Sequence, residues 1–175
     1  MANKIWLSSP HMGGNELKYI HEAFDANWVA PLGPNVNGFE EDLEKFLNAN
    51  VKVAALSAGT AALHLALIEC GVVHGDEVIC QSMTFSASAN PIAYCGAIPV
   101  FIDSEKDTWN MCPKALREAI VDRTAKGNKP KAIIVVHLYG MPAKMDEINA
   151  IAKEFDIPVI EDAAEALGSK YKNVA

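Results

Sequence analysis

Short apolar segments alternate with longer amphipathic segments along most of this chain. The apolar segments fit buried strands, because parallel strands covered on both faces carry nearly continuous runs of Val, Ile and Leu. The intervening segments place apolar residues at three- and four-residue spacing, which is typical of helices. This alternation predicts an α/β fold with a mostly parallel sheet between two helical layers, an αβα sandwich. The predicted strands are 51–56, 76–80, 98–102, 132–136 and 157–160, and the predicted helices are 14–27, 39–47, 60–70, 86–94, 113–121 and 145–155.

The composition fits a globular protein and argues against two classes of function. The 175 residues include 15 Lys and Arg against 22 Asp and Glu, which is a formal net charge of −7. This charge argues against general nucleic-acid binding, which needs a basic face. No apolar run approaches the ~20 residues that cross a bilayer, and the N-terminus lacks the apolar core of a signal peptide. The four cysteines have no metal-ligand spacing, so we expect reduced thiols, a cytoplasmic location and no metal site.

Ligands of parallel sheets bind at the carboxyl ends of the strands, so the residues after each predicted strand are candidates for a site. Gly59 and Thr60 open a helix after the first predicted strand, where free N–H groups and the helix dipole suit a phosphate. Alternatively, Ser57 or Thr60 caps that helix. Phe85 follows the second predicted strand and is either a flat face for a heteroaromatic ring or a core residue.

Acidic residues follow the last predicted strand. Asp162 either pairs with a protonated ring nitrogen or forms a capping box with Glu165 at the start of a helix. His137 follows the strand 132–136 and is either a site residue or a partner for a backbone carbonyl. Three requirements of pyridoxal phosphate are thus met. They are a binding site for its phosphate, an aromatic side chain that stacks on its ring, and an acidic side chain that pairs with its protonated ring nitrogen. The fourth is a lysine that forms a Schiff base with its aldehyde.

At these residues the sequence resembles the DegT-type sugar aminotransferases, which are pyridoxal-phosphate enzymes of the aspartate aminotransferase fold, fold type I. The matching segments lie along nearly the whole chain, at 58–67, 75–79, 84–85, 136–140 and 161–168. A narrower similarity, to the UDP-N-acetylbacillosamine-pathway aminotransferases, covers 7–16 and 27–33. The resemblance implies an N-terminal helix and substrate loop at 1–37. It also implies the N-terminal part of the cofactor-binding large domain at 38–175.

The resemblance assigns cofactor contacts to five residues. Gly59 and Thr60 would hold the phosphate of pyridoxal 5′-phosphate. Phe85 would stack on the pyridine ring, and Asp162 would pair with the ring nitrogen. Glu165 would lie near the phenolic oxygen of the ring.

The resemblance also implies a substrate site and a reaction. Asn27, Trp28, Val29 and Ala30 would line the nucleotide-sugar site, although this stretch also fits a rigid Pro/Gly turn. The implied reaction moves an amino group from glutamate to C4 of a UDP-linked 4-keto-6-deoxy-N-acetylhexosamine. Relatives of this fold build their active sites across a homodimer, so a homodimer is expected.

One departure from the family concerns catalysis. The Schiff-base lysine of the family follows a later strand, and this chain ends at Ala175, before that point. The resemblance therefore implies no catalytic residue in this chain, no C-terminal small domain and no activity of the chain alone. Lys170 and Lys172 are interpreted as exposed, solvated lysines. Two alternatives stay open: a sugar dehydratase of the same fold, and a non-catalytic binding or interaction module whose open sheet edge favours association.

Overall fold

The computed structural model describes residues 4–6, 9–48 and 50–173, which form two compact units, Met1–Ala55 and Leu56–Ala175. Leu7 and Ser8 of the predicted subfamily segment 7–16 lie outside the described residues. The boundary predicted between residues 37 and 38 concerns the domains of the family and stays a prediction. Every helix of the described residues falls short of the length and apolar content that a membrane crossing requires.

The second unit contains one parallel sheet of four strands. The strands are β1 (Glu77–Gln81), β2 (Ile98–Ile102), β3 (Ala132–Val136) and β4 (Val159–Asp162), in the order β2-β1-β3-β4. In the register, Cys80 of β1 pairs with Phe101 on one side and with Ile134 on the other. Val136 pairs with Asp162, so β3 and β4 end at the same edge of the sheet. The predicted α/β fold with a parallel sheet is confirmed.

Six α-helices and two short 3-10 turns complete the described part of the chain. The helices are α1 (Glu16–Asp25), α2 (Pro34–Leu47), α3 (Gly59–Glu69), α4 (Asn90–Tyr94), α5 (Pro113–Ala125) and α6 (Met145–Phe155). The 3-10 turns are Ser86–Ser88 and Leu138–Gly140. The helix predicted over 86–94 is therefore divided in two. Its α-helical part begins just before Pro91, whose missing N–H is tolerated in a first turn.

Alternate residues of the strands build one core on each face of the sheet, as the two-residue period of a strand requires. Ile79 and Ile133 face α5 and α6, where they join a cluster that includes Leu116 and Ile148. Their neighbours along the strands, among them Ile134, pack on the other face with residues of α3 and α4. Helices thus cover both faces, and the predicted three layers are present.

The predicted strand 51–56 is wrong. Residues 51–56 form no strand and pair with no strand among the described residues. Their backbone instead bonds to carboxylates of α2: the Val53 N–H donates to Glu44 at 3.2 Å, and the Ala55 N–H donates to Glu40 at 2.8 Å. The apolar residues of this segment are compatible with a strand. A strand also needs a neighbouring strand with which to form backbone hydrogen bonds.

The last strand is displaced from its predicted position. β4 begins at Val159 rather than at residue 157, because the Ile157 N–H still bonds to the carbonyl of Ala152 in α6 and Pro158 follows. The strand then runs through Asp162. Residues 164–168 form turns rather than a helix. The capping-box alternative for Asp162 and Glu165 is therefore wrong.

Candidate active site

A cavity of about 480 Å³ opens at the carboxyl edge of the sheet, where β3 and β4 end. Its lining includes Phe85, Tyr139, Asp162 and Glu165. Three of the five predicted cofactor residues are therefore brought together around one space. They come from two separate segments of the chain, one after β1 and one at the end of β4, which the parallel strands deliver to one edge.

Asp162 is the last residue of β4 and is half-buried. Its Oδ2 atom accepts a hydrogen bond of 2.7 Å from the Ser88 hydroxyl, and its Oδ1 atom accepts a longer one, 3.3 Å, from the Ala164 N–H. The Ser88 oxygen also lies 2.8 Å from the Thr84 hydroxyl. The cost of placing a carboxylate at the end of an apolar strand is thus offset by donors on neighbouring segments.

Phe85 is the extended residue immediately before the 3-10 turn Ser86–Ser88. Its side chain is 79% exposed, although it belongs to the cavity lining. The alternative that Phe85 is a core residue is therefore wrong. An aromatic face open to a cavity is available for stacking on a planar ring.

Gly59 and Thr60 are the first two residues of α3, and neither lines the cavity around Asp162. Ala58 precedes the helix in an extended conformation, and no side chain of the described residues caps this end. The alternative that Ser57 or Thr60 caps the helix is therefore wrong. A Cβ atom added to Gly59 would meet nothing within 4 Å, so the approach to its backbone is open. Uncapped N–H groups at a helix start are suited to an anion.

His137 is buried, and its ring joins two elements next to the cavity. Its Nδ1 atom accepts a hydrogen bond from the Ala143 N–H at 3.1 Å, so the proton of the neutral ring lies on Nε2. Nε2 lies 3.0 Å from the Glu161 carboxylate and donates to it. This hydrogen bond lowers the pKa of Glu161. The predicted backbone-carbonyl partner for His137 is wrong, since the ring accepts from an N–H and donates to a carboxylate.

The turn that follows His137 carries Tyr139 and Gly140, both at positive φ (51° and 82°). Side chains hold this strained turn in place. Glu165 accepts a hydrogen bond from the Tyr139 N–H at 2.6 Å, and the Ser169 hydroxyl donates to the Gly140 carbonyl at 2.7 Å. One carboxylate oxygen of Glu165 is thus occupied by the chain itself.

Two buried amides at this edge were not predicted from the sequence. Asn110 accepts a hydrogen bond from the Leu138 N–H at 2.9 Å and donates to the Met141 carbonyl at 2.7 Å. Gln81 accepts from the Val136 N–H at 3.1 Å, which extends the pairing between β1 and β3 beyond the backbone ladder. The sequence feature that could have identified them is an amide side chain next to apolar residues. Gln81 ends an apolar strand, and Asn110 precedes a fully buried methionine.

The residues Asn27–Ala30 belong to the first unit, Met1–Ala55, where they lie in the irregular segment between α1 and α2. The Trp28 indole N–H donates to the carbonyl of Leu32, and the Trp28 ring covers Gly33, which has a φ of 137°. Trp28 and Ala30 also line a cavity of about 290 Å³ within this unit. The structure thus shows a turn that ends at Asn27 and a bend that begins at Ala30, and the nucleotide-sugar role of the four residues stays a prediction.

Lys170 and Lys172 are both exposed, as expected. Lys172 forms an ion pair with Asp146 on the surface of α6, and its side chain is 67% exposed. Neither lysine lines the cavity around Asp162.

The donor set at the sheet edge fits pyridoxal phosphate. The fit rests on the Asp162 carboxylate for a ring N–H, the open face of Phe85 for a flat heterocycle and the uncapped start of α3 for a phosphate. The part of the chain that the structure describes contains no group of three or more His, Cys, Asp or Glu arranged to hold a metal ion.

Comparison with known proteins identifies relatives over nearly the whole chain. The DegT/DnrJ/EryC1/StrS aminotransferase family matches residues 10–175. EpsN of Bacillus subtilis (strain 168), provisionally named a pyridoxal phosphate-dependent aminotransferase, is 56% identical over 98% of this chain. The GDP-perosamine synthase of Escherichia coli O157:H7 is 44% identical over 96% of this chain. The chain spans 44% of the length of each of these two relatives.

Solved structures of related proteins have the same fold. The DegT DnrJ EryC1 StrS aminotransferase from Brucella abortus superimposes with a TM-score of 0.85 at 38% identity and covers 91% of this chain and 43% of its own. Spr1654 from Streptococcus pneumoniae, provisionally named a sugar aminotransferase and solved in its PMP form, also gives a TM-score of 0.85. It is 31% identical, and the match covers 98% of this chain and 45% of that one.

Proposed function

The chain belongs to the DegT/DnrJ/EryC1/StrS aminotransferase family, and we propose that its residues bind pyridoxal phosphate for amino transfer to a nucleotide-linked keto sugar. Pyridoxal phosphate is the cofactor of this family. The observation that carries the proposal is the cavity at the sheet edge, which joins Phe85, Asp162 and Glu165.

Each predicted residue has a task in this proposal. Asp162 accepts the ring N–H and keeps that nitrogen protonated, and Phe85 stacks on the ring. The N–H groups of Gly59 and Thr60 bind the phosphate, with the dipole of α3 adding to the attraction. Glu165 faces the phenolic side of the ring with the oxygen that does not hold Tyr139. When bound, pyridoxal phosphate supplies a carrier for the amino group and an electron-accepting ring.

We propose glutamate as the amino donor and C4 of a UDP-linked 4-keto-6-deoxy-N-acetylhexosamine as the acceptor. The similarity to a GDP-perosamine synthase supports a nucleotide-linked sugar in general. The choice of UDP rests on the subfamily resemblance of segments 7–16 and 27–33. Asn27, Trp28, Val29 and Ala30 are proposed to line the sugar-nucleotide site.

A homodimer and a cytoplasmic location complete the proposal. The described residues leave large apolar side chains exposed, including Leu17 and Phe24 on α1, which supports association. All four cysteines are unpaired thiols, which supports a reducing compartment.

An amino-transfer assay tests the function directly. The protein expressed from the full reading frame is incubated with pyridoxal phosphate, glutamate and a UDP- or GDP-linked 4-keto-6-deoxy sugar. We expect 2-oxoglutarate and the amino sugar to form in equal amounts with the UDP substrate. Turnover with the GDP substrate alone would correct the nucleotide. Absence of 2-oxoglutarate with both would contradict the aminotransferase assignment, and loss of a sugar hydroxyl without 2-oxoglutarate would indicate the dehydratase.

A second experiment tests the absence of a Schiff-base lysine from this chain. The 175-residue chain is treated with pyridoxal phosphate and borohydride and then digested for mass spectrometry. We expect only scattered, substoichiometric labelling of exposed lysines, because Lys170 and Lys172 do not line the cavity. A stoichiometric adduct at either residue would contradict this expectation.

A further inference from the structure

We propose that Ser88 is a positioning residue that aims the Asp162 carboxylate at the cofactor ring, with Thr84 as its support. This inference rests on the proposed cofactor site. Ser88 is only 1% exposed, and its hydroxyl donates to Asp162 Oδ2 at 2.7 Å across a sequence separation of 74 residues. A buried hydroxyl with this partner links the turn Ser86–Ser88 to the end of β4.

The hydrogen bonds of this cluster have a defined direction. A carboxylate only accepts hydrogen bonds, so the single proton of the Ser88 hydroxyl goes to Asp162. The Thr84 and Ser88 oxygens lie 2.8 Å apart, and the Thr84 hydroxyl must then be the donor of that bond. The chain of donors therefore runs from Thr84 through Ser88 to Asp162.

This chain leaves the two carboxylate oxygens of Asp162 unequal. Oδ2 holds the short hydrogen bond from Ser88, whereas Oδ1 has only the 3.3 Å contact with the Ala164 N–H. Oδ1 is thus the oxygen with capacity left for a ring N–H. Because the Ser88 bond restricts rotation of the carboxylate, loss of the hydroxyl should misdirect Asp162 without removing its charge.

Binding of two ligands distinguishes positioning from a general structural role. The first ligand is pyridoxamine 5′-phosphate, which needs no Schiff-base lysine. The second is its 1-deaza analogue, in which CH replaces the ring nitrogen. Asp162 acts on the ring N–H alone, so a defect in its orientation should weaken the first ligand and spare the second. A distorted cavity would weaken both.

The test measures the dissociation constants of both ligands by calorimetry for the protein expressed from the full reading frame and its variants. We expect S88A to bind pyridoxamine 5′-phosphate about 10-fold more weakly, the loss typical of one hydrogen bond to a charged group. Binding of the deaza analogue should change less than about twofold. Ser88→Thr, which keeps the hydroxyl, should restore most of the affinity. Ser86→Ala removes an exposed hydroxyl of the same turn and serves as the matched control.

The outcomes separate this inference from the proposed function. A wild-type protein from the full reading frame that binds neither ligand overturns both. Wild-type binding together with unchanged affinity in S88A, or an equal loss for both ligands, overturns the positioning role alone. If S88A does not fold, as judged by circular dichroism, Ser88→Cys replaces the hydroxyl with a weak donor of similar size, and its two affinities are interpreted in the same way.

Discussion

Asn110 is the side chain whose removal should most affect the turn beside the cavity. It is fully buried and accepts from the Leu138 N–H while donating to the Met141 carbonyl. Asn110→Ala leaves both backbone groups without these partners. Each buried group left unpaired costs about 1–3 kcal/mol, and the carbonyl of Met141, whose residue is half exposed, falls at the lower end. We therefore expect a loss of about 2–4 kcal/mol in the free energy of unfolding.

Urea unfolding followed by circular dichroism measures this loss. With a slope of about 2 kcal/mol per molar urea, the midpoint of Asn110→Ala should fall by about 1–2 M. Asn128→Ala, at an exposed asparagine of the same unit, is the matched control and should stay within about 0.5 kcal/mol of the wild type. A midpoint of Asn110→Ala that coincides with the control would refute the assignment of these two hydrogen bonds as stabilising.

Three further predictions concern acid stability, thiol reactivity and the core. Burial acts to raise the pKa of Glu105, but hydrogen bonds from Thr108 and neighbouring donors lower it from 4.5 to about 2. Its ionised form therefore stabilises the fold above pH 4.5, and this contribution is lost as the pH falls through about 2. Glu105→Gln lacks this carboxylate, so its free energy of unfolding in urea should fall less between pH 5 and pH 2 than that of the wild type. An equal fall for the two proteins would contradict this prediction. Burial, with the nearby carboxylate at the end of β4, raises the pKa of the Cys80 thiol to about 12. Iodoacetamide at pH 8 should therefore label the other three cysteines first by mass spectrometry, and early labelling of Cys80 would be inconsistent with its burial. Ile134→Ala in the central strand should cost about 2–5 kcal/mol in urea unfolding. Ile98→Ala, on the half-exposed edge strand, should cost less than about 1 kcal/mol, and similar losses for the two would disprove the difference in packing.

The elements predicted with their observed bounds are those with a strong local pattern. The strands 98–102 and 132–136 and the helix 145–155 have the limits expected from the sequence. Each depends on the chemistry of adjacent residues: β-branched runs for the strands, and three- and four-residue spacing for the helix. Residues 51–56 could form a strand only beside a distant partner strand, which the local sequence does not reveal. In the structure, N–H groups of this segment instead donate to glutamates of α2.

The sequence alone determined the alternation of strands and helices, and with it the sheet edge where a ligand site would form. It also identified Phe85 and Asp162 as candidates, because strand-end residues can be recognised from neighbouring residues only, whereas Glu165 was assigned by the family resemblance. The tertiary structure decided which polar groups meet there: Ser88 with Asp162, Asn110 with the turn after His137, and Glu165 with Tyr139. These contacts join residues 26 to 74 positions apart, and a local pattern carries no information about which distant donor reaches which acceptor.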